Sequence, residues 1–269
     1  HGSILRLYRP LRDLEIKNLL MEKKMYFNGE WNNPKIAMYC QIGSALDMAK
    51  FAVESAIENS GLPDEDVDIV FICWKTADKV IDWLNEKNFK YVDIGYDEGK
   101  GFLWNLYRGW NAGYEIIFEH CDYICPIATD HYFHKNWLVN LYKHCQPNRV
   151  VNCKLIEPGT LPSLHTCRNF GITLHESFKK DEFIDFANSY VERFKDQIVT
   201  NEIEYGHRFD AMPFALGKDV WQKFGPMSKV FVNESPDPEG VFVNRVTGDT
   251  DFFNRCKHGG VEVIKALDA

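Results

Sequence analysis

The strongest candidate for a chemically active residue is Asp130. It follows an apolar stretch at 123–128 with the composition of a buried strand. An ionised carboxylate in that position is costly unless it is paired or bound to a metal. Its natural partner is a hard divalent cation such as Mg²⁺ or Mn²⁺, which takes oxygen ligands and often keeps substrate phosphates among them. His131 and His134 stand beside it. The alternative is an aspartate that only caps the turn after the strand.

Three further side chains could contact a phosphorylated or aromatic ligand. Gln41 and Trp74 each follow a short apolar stretch, as Asp130 does. The indole of Trp74 can stack on an aromatic base, although a tryptophan of the core or its rim fits the sequence equally well. Lys100 lies in a Gly-Lys-Gly turn and could meet a phosphate. The alternative for Lys100 is a solvated turn lysine.

These residues are positioned by strand and helix patterns that alternate along the chain. Strands are predicted at 35–40, 67–73, 90–94, 123–128, 149–155 and 261–265, and helices at 44–60, 78–86, 102–119, 136–145, 180–195, 218–224 and 249–258. Such alternation indicates a mainly parallel sheet with helices on both faces. Ligands of such sheets bind beyond the carboxyl ends of the strands, where Gln41, Trp74 and Asp130 are expected.

Local signals refine two of these segments. Ser44 is predicted to cap the first helix, with Asp47 at the third helical position in the manner of a capping box. The stretch 234–240 contains two prolines, three acidic residues and a glycine, which is typical of a mobile loop.

The segment from Cys121 to Asp130, followed by Trp137-Leu138, resembles the acidic metal motif of GT-A glycosyltransferases, in particular the large inverting glycosyltransferase family two. That family carries a pair of aspartates, a short gap, and then an aromatic residue with leucine. Asp130 stands where the second aspartate falls, which implies that it binds the metal. Thr129 replaces the first aspartate, at a position that contacts the sugar or ribose.

Three other segments resemble the same family in the same order. Asn111-Ala-Gly resembles the Asn-x-Gly element that precedes the metal strand, which places Asn111 near the nucleotide sugar. Residues 214–226 resemble the strand and helix before the acceptor loop. Residues 248–253 resemble the helix that carries the catalytic base, which implies Asp249, with Asp251 in reserve. Gly248 stands where the family has an acid. From the residues alone, Asp249 could be a helix N-cap and Asp251 a solvated acid of the first turn.

The resemblance implies a GT-A fold, a Rossmann-like and mainly parallel sheet flanked by helices, with a smaller acceptor-side region. It also implies transfer of a sugar from a nucleotide-sugar donor, with inversion, Asp249 as base and Mn²⁺ or Mg²⁺ as cofactor. The acceptor hydroxyl is left open among a glycan, a lipid-linked molecule and a protein. Two alternatives remain at this point: a nucleotidyltransferase of similar fold, and a non-catalytic relative that binds carbohydrate or nucleotide.

Composition limits the partners and the setting. The 269 residues carry a formal net charge of -8, which argues against nucleic acid as a partner. The eight cysteines form no CxxC pair, so reduced thiols and a cytoplasmic location are expected, although a disulfide framework stays possible. No apolar run is long enough for a membrane span.

Two regions are expected along the chain. Residues 1–33 mix basic and apolar side chains and are predicted to form an N-terminal arm or helix, which leaves peripheral contact with a membrane open. Residues 34–269 are predicted to form the glycosyltransferase domain. Its nucleotide-sugar-binding half is expected at 34–155 and its acceptor-binding half at 156–269.

Overall fold

The structure is a computed structural model that describes residues 34–156, 170–171, 177–200, 212–236, 242–243 and 245–269. The predicted N-terminal arm, and residues 237–240 of the loop predicted to be mobile, lie outside these residues. The strands are β1 (Ile36–Ile42), β2 (Val67–Cys73), β3 (Lys90–Asp93), β4 (Tyr123–Ile127), β5 (Arg149–Cys153), β6 (Ile198–Thr200), β7 (Phe214–Gly217), β8 (Ser235–Pro236), β9 (Phe242–Val243) and β10 (Glu262–Ala266). The helices are α1 (Leu46–Glu58), α2 (Asp78–Glu86), α3 (Phe102–Ile117), α4 (Trp137–Tyr142), α5 (Lys180–Arg193), α6 (Lys218–Phe224) and α7 (Gly248–His258).

Eight strands form one mixed sheet in the order β3-β2-β1-β4-β7-β5-β10-β6. The first four are parallel to one another, as the alternating pattern predicts. Strand β7 runs antiparallel between β4 and β5, and β6 runs antiparallel at the edge beside β10. Because β7 and β10 pair with strands of the first half, both predicted halves of the chain contribute to the same sheet.

The sheet lies between two layers of helices. One apolar cluster joins its strands to α3, α6 and α7, and the other joins the opposite face to α1, α2 and α4. Neighbouring residues of β1 show the alternation: Tyr39 packs in the first cluster and Met38 in the second, both fully buried. Among the described residues, no helix combines the length and the apolar character that crossing a membrane requires.

Two local predictions differ from the structure. Helix α1 begins at Leu46 with Ala45 as N-cap and has no side-chain capping bond, so the capping role of Ser44 is wrong. The loop prediction at 234–240 is also partly wrong, because β8 pairs antiparallel with β9 at this place. Proline has no backbone N–H to donate, which argues against a strand in the sequence. Pro236 is nevertheless tolerated here because β8 and β9 form only a short two-stranded pair.

Helix α3 lies close against β1 because two of its residues lack side chains. A Cβ atom at Gly113 would lie 2.6 Å from Cε2 of Tyr39, and one at Gly109 would overlap the side-chain oxygen of Gln41. The ring of Tyr39 is fully buried and contacts Trp110 and Tyr114 edge-on. The spacing of the two glycines, one helical turn apart, therefore sets the distance between helix and strand.

This contact predicts the cost of adding a methyl group. Alanine favours a helix by about 1 kcal/mol over glycine, but overpacking a filled core costs about 1–3 kcal/mol. Because the added Cβ would lie 2.6 Å from a fully buried ring, we expect an overpacking cost in the upper part of that range. After the gain in helix propensity, Gly113→Ala should lower the free energy of unfolding by about 1–2 kcal/mol in urea titration. Gly43→Ala is the control, because nothing lies within 4 Å of a Cβ there. A Gly113→Ala protein as stable as the parent would contradict this account of the packing.

Candidate functional site

Gln41 and Trp74 meet at the carboxyl ends of β1 and β2. The indole Nε1 of Trp74 donates to Oε1 of Gln41 at 2.6 Å, and Nε2 of Gln41 donates to the carbonyl of Leu106 in α3 at 3.1 Å. The absent side chain of Gly109 makes room for this amide. The sequence prediction that both residues lie at one edge of the sheet is confirmed, and Gln41 holds the indole in a fixed orientation.

The indole belongs to a small aromatic ledge. Trp74 stacks on Tyr96 with ring centroids 5.8 Å apart and planes 16° apart, and Phe102 leans on it at 5.5 Å. The ammonium of Lys75 lies 4.7 Å from the ring centre of Tyr96. Phe102 is 64% exposed and Trp74 is half-buried. The ledge therefore offers apolar ring surface to solvent beside the site.

Lys100 lies at the tip of a loop that α3 holds rigidly. The buried amide of Asn105 accepts from the N–H of Asp97 at 2.9 Å and donates to the carbonyls of Asp97 and Gly101. The guanidinium of Arg108 donates to the carbonyls of Ile94 and Gly95. The backbone of the loop is thus fixed, while Lys100 itself is exposed.

Asp130 lies in the turn after β4, with Thr129 half-buried before it. Its carboxylate is 64% exposed, and Nε2 of His131 stands 3.8 Å from its Oδ1. Loss of solvation lowers the pKa of His131 and the charge of Asp130 opposes this, so the imidazole is neutral at neutral pH. Its Nδ1 has no hydrogen-bond partner in the described part of the chain. The open carboxylate is available to a ligand.

The residues around Asp130 fit one kind of metal site. Within the described ranges, no group of three or more His, Cys, Asp or Glu side chains comes together to hold an ion. A single exposed carboxylate fits Mg²⁺ or Mn²⁺ that arrives with a diphosphate, because such ions keep water and phosphate oxygens as ligands.

Asp249 is the second residue of α7, whose N-cap is Thr247. The interpretation of Asp249 as the N-cap is therefore wrong. Its Oδ1 accepts from the hydroxyl of Tyr107 at 2.7 Å, from the hydroxyl of Thr247 at 2.6 Å and from the N–H of Thr250 at 2.8 Å. Within the described residues, Oδ2 has no such partner, and the side chain is exposed. One oxygen is fixed and the other faces solvent.

The packing of α7 explains why a glycine stands at position 248. A Cβ atom there would overlap the backbone carbonyl of Ser228. The segment around Ser228 thus crosses the start of α7 in direct backbone contact, and an acid at this position would push it away. This close approach gives a packing reason for glycine at position 248.

Asp251 points away from the exposed side of α7. Its carboxylate is 8% exposed and pairs with Nε of Arg255 at 2.8 Å. Arg255 in turn donates to the carbonyls of Phe224 and Pro226. The alternative of a solvated first-turn acid is wrong, because Asp251 helps to anchor the segment after α6.

Asn111 is also occupied by the protein itself. Its amide nitrogen donates to the carbonyl of Met227 at 2.9 Å, and its amide oxygen accepts from the N–H of Met227 at 2.9 Å. The side chain is nearly buried and both ends are used. The structure therefore engages Asn111 with the protein backbone and does not leave it open to a ligand at the strand ends where Gln41, Trp74 and Asp130 lie.

Sequence reasoning missed Tyr107, which lies four residues before Asn111 and three after Trp104. These three side chains share a face of α3 and all reach the later part of the chain: Trp104 lies 4.9 Å from the ammonium of Lys229. The sequence did contain a signal for Tyr107: Trp104, Tyr107 and Asn111 each carry a polar atom and recur at helical spacing on an otherwise apolar face of α3. Burial first, and then the charge of Asp249, raises the pKa of Tyr107, so its phenol stays protonated and remains a donor.

No known protein family matched the chain, and a search of curated proteins found no relative. Among solved structures, the mannosyltransferase PcManGT of Pyrobaculum calidifontis, in complex with GDP-Man and Mn²⁺, has a TM-score of 0.50 at 9% identity, over 94% of this chain and 61% of that one. Residues 1–349 of S. aureus TarS, in complex with UDP, have a TM-score of 0.51 at 8% identity, over 87% and 58%. Another S. aureus TarS structure has 0.52 at 9% identity, over 87% and 35%.

The match spans at most about three fifths of these proteins, and at such low identity the likeness concerns the fold. It confirms the predicted fold class, an α/β sheet flanked by helices, which this chain shares with these structures. The roles of individual residues stay predictions.

The different surroundings of the two aspartates of α7 predict different effects on stability. Asp251→Asn removes the charge that holds a partly buried Arg255, and we expect a loss of about 1–3 kcal/mol in the free energy of unfolding. Asp249→Asn keeps an oxygen acceptor at an exposed position, and we expect a change within about 1 kcal/mol. Urea titration of both proteins measures this. Equal losses would contradict the expectation that only Asp251 is needed for stability.

Proposed function

We propose that this protein is a glycosyltransferase that moves a sugar from a nucleoside-diphosphate sugar to an acceptor hydroxyl. The observation that carries the proposal is Asp249: three donors fix one of its oxygens and leave the other open, at the start of a helix in this fold. Asp130 supports it with a second open carboxylate beyond a central strand. The bound GDP-Man and UDP of the structural neighbours point to the same class of donor.

The proposed reaction proceeds with inversion. Oδ2 of Asp249 takes the proton of the acceptor hydroxyl while that oxygen forms a bond to the anomeric carbon of the donor sugar. The bond between the anomeric carbon and the diphosphate oxygen breaks, and its electron pair leaves with the nucleoside diphosphate. The transition state has oxocarbenium character. Fixing Oδ1 keeps the reactive oxygen in one orientation, which shortens the search for a productive geometry.

Asp130 would hold Mg²⁺ or Mn²⁺ together with the diphosphate, and the ion would supply positive charge that stabilises the leaving group. Thr129 is proposed to lie beside the sugar or ribose. Trp74, held by Gln41, is proposed to face the nucleotide base, since the ledge it forms with Tyr96 and Phe102 presents ring surface. Lys100 is exposed in the turn just before Phe102 of the ledge, and we propose that it attracts a phosphate of the donor.

A panel of nucleotide sugars tests the proposal directly. Thermal melting is recorded with each compound, with and without Mn²⁺, and hydrolysis of each is followed over hours. We expect one donor to raise the melting temperature only with metal, and to be slowly hydrolysed. Binding without any hydrolysis or transfer would favour the non-catalytic binding protein. Failure of every nucleotide sugar to bind would refute the proposed function.

The metal role of Asp130 makes a quantitative prediction. Asp130→Asn keeps the size of the side chain and removes its charge, so we expect Mn²⁺-dependent nucleotide binding to weaken at least tenfold in calorimetry. Any weak binding that remains without metal should be the same in both proteins. Asp122→Asn is the control, because Asp122 is an exposed acid before β4. Unchanged affinity of Asp130→Asn in the presence of Mn²⁺ would remove Asp130 from the metal site.

The base role of Asp249 predicts a loss in turnover. Asp249→Asn cannot accept the proton, so we expect kcat to fall by roughly two to four orders of magnitude, the usual scale of general-base catalysis. The Kd of the donor should stay the same, since the base contacts the acceptor. Initial rates and calorimetry with the donor found above separate the two effects. Transfer at the parental rate would exclude Asp249 as the base.

A further inference from the structure

Tyr107 reaches from the interior of the protein to the exposed carboxylate of Asp249. Its side chain is 4% exposed, and its hydroxyl donates to Oδ1 of Asp249 at 2.7 Å across 142 residues of sequence. The other two donors to this oxygen, Thr247 and Thr250, belong to α7 or its N-cap and move with it. Tyr107 is thus the donor that ties Asp249 to a different element.

The helix that carries Tyr107 is itself fixed. Asn105 and Arg108 bind the loop before α3, and Gly109 and Gly113 set α3 against β1. The adjacent Leu106 accepts from Gln41, which holds Trp74. One turn of α3 therefore contacts both the proposed base and the residues proposed to face the nucleotide.

We propose that Tyr107 is a positioning residue that orients the carboxylate of Asp249 relative to the donor-binding edge of the sheet. The inference rests on the proposed function, because it concerns the same site. A phenol buried along its ring and hydrogen-bonded at its tip has little freedom to turn, so it is a rigid donor. A structural anchor would stabilise the fold, whereas a positioning residue affects the orientation of Asp249 during catalysis.

The first test does not need activity. Tyrosines are labelled with ¹³C at Cζ, the resonance of Tyr107 is assigned with Tyr107→Phe, and its chemical shift at neutral pH is compared in the parent and in Asp249→Asn. Burial, and then the charge of Asp249, raises the pKa of Tyr107, so the phenol is protonated in both proteins. Because its hydroxyl donates to a charged carboxylate in the parent and to a neutral amide in the variant, we expect the resonance to move. An unmoved resonance would show that the contact does not exist and would overturn the inference.

The second test measures the effect on transfer. Tyr107→Phe removes the hydroxyl and keeps the ring, so we expect kcat to fall roughly tenfold, as for a lost hydrogen bond to a charged group, with the donor KM unchanged. Tyr91→Phe is the matched control, a buried tyrosine whose hydroxyl meets Asn85 elsewhere, and it should keep the parental kcat. Melting curves of both variants confirm that they fold.

The outcomes separate the two claims. If the parent transfers sugar and Tyr107→Phe does so at the parental rate, the inference fails while the proposed function stands. If the parent transfers no sugar to any acceptor and hydrolyses no donor, the proposed function fails and the positioning role falls with it. A lower kcat in Tyr107→Phe with parental melting temperature supports positioning over anchoring.

Discussion

The site depends on one turn of α3, at Leu106 and Tyr107. The carbonyl of Leu106 receives the amide of Gln41 from the end of β1, and the hydroxyl of Tyr107 reaches Asp249 at the start of α7. Strand β1 lies in the middle of the parallel part of the sheet, and α7 follows strands that are added later in the chain. If α3 shifted along its axis, both contacts would change together, so its position determines how the two parts of the site face each other.

The position of α3 is set by glycines without side chains as well as by polar contacts. Gly109 and Gly113 let α3 approach β1, and Gly248 lets the carbonyl of Ser228 cross the start of α7. Interiors are packed too tightly to accept even one extra methyl group without movement. Polar contacts then complete the arrangement, because Asn111 and Arg255 bind the backbone of the same crossing segment. The glycine at 248 is therefore required by packing.

Local patterns predicted much of the fold, and long-range contacts explain most of what they missed. The bounds of β2, α2 and α6 agree with the sequence prediction because periodicity and breakers are local signals. The antiparallel direction of β7 depends on pairing with β4 and β5, which no local pattern contains. For the site, strand ends placed Gln41, Trp74 and Asp130 correctly at one edge of the sheet. The sequence prediction misjudged Asn111 and missed Tyr107, because their partners lie 116 and 142 residues away along the chain. It also misjudged Asp251. The partner of Asp251 is only 4 residues away, but that partner, Arg255, is shared with the segment after α6.

The contrast between the two carboxylates at the site also constrains how it could work. Asp249 is held by three donors before any ligand arrives, whereas Asp130 is open and has only a neutral imidazole 3.8 Å away within the described residues. A group that must accept a proton from a defined direction works better when it is already oriented before the substrate binds. A group that shares an ion with a mobile diphosphate gains more from freedom to adjust, because the ion must exchange water for phosphate oxygens. Under the proposed function, the rigid carboxylate is the one assigned to the acceptor, and the adaptable carboxylate is the one assigned to the charged donor and its leaving product.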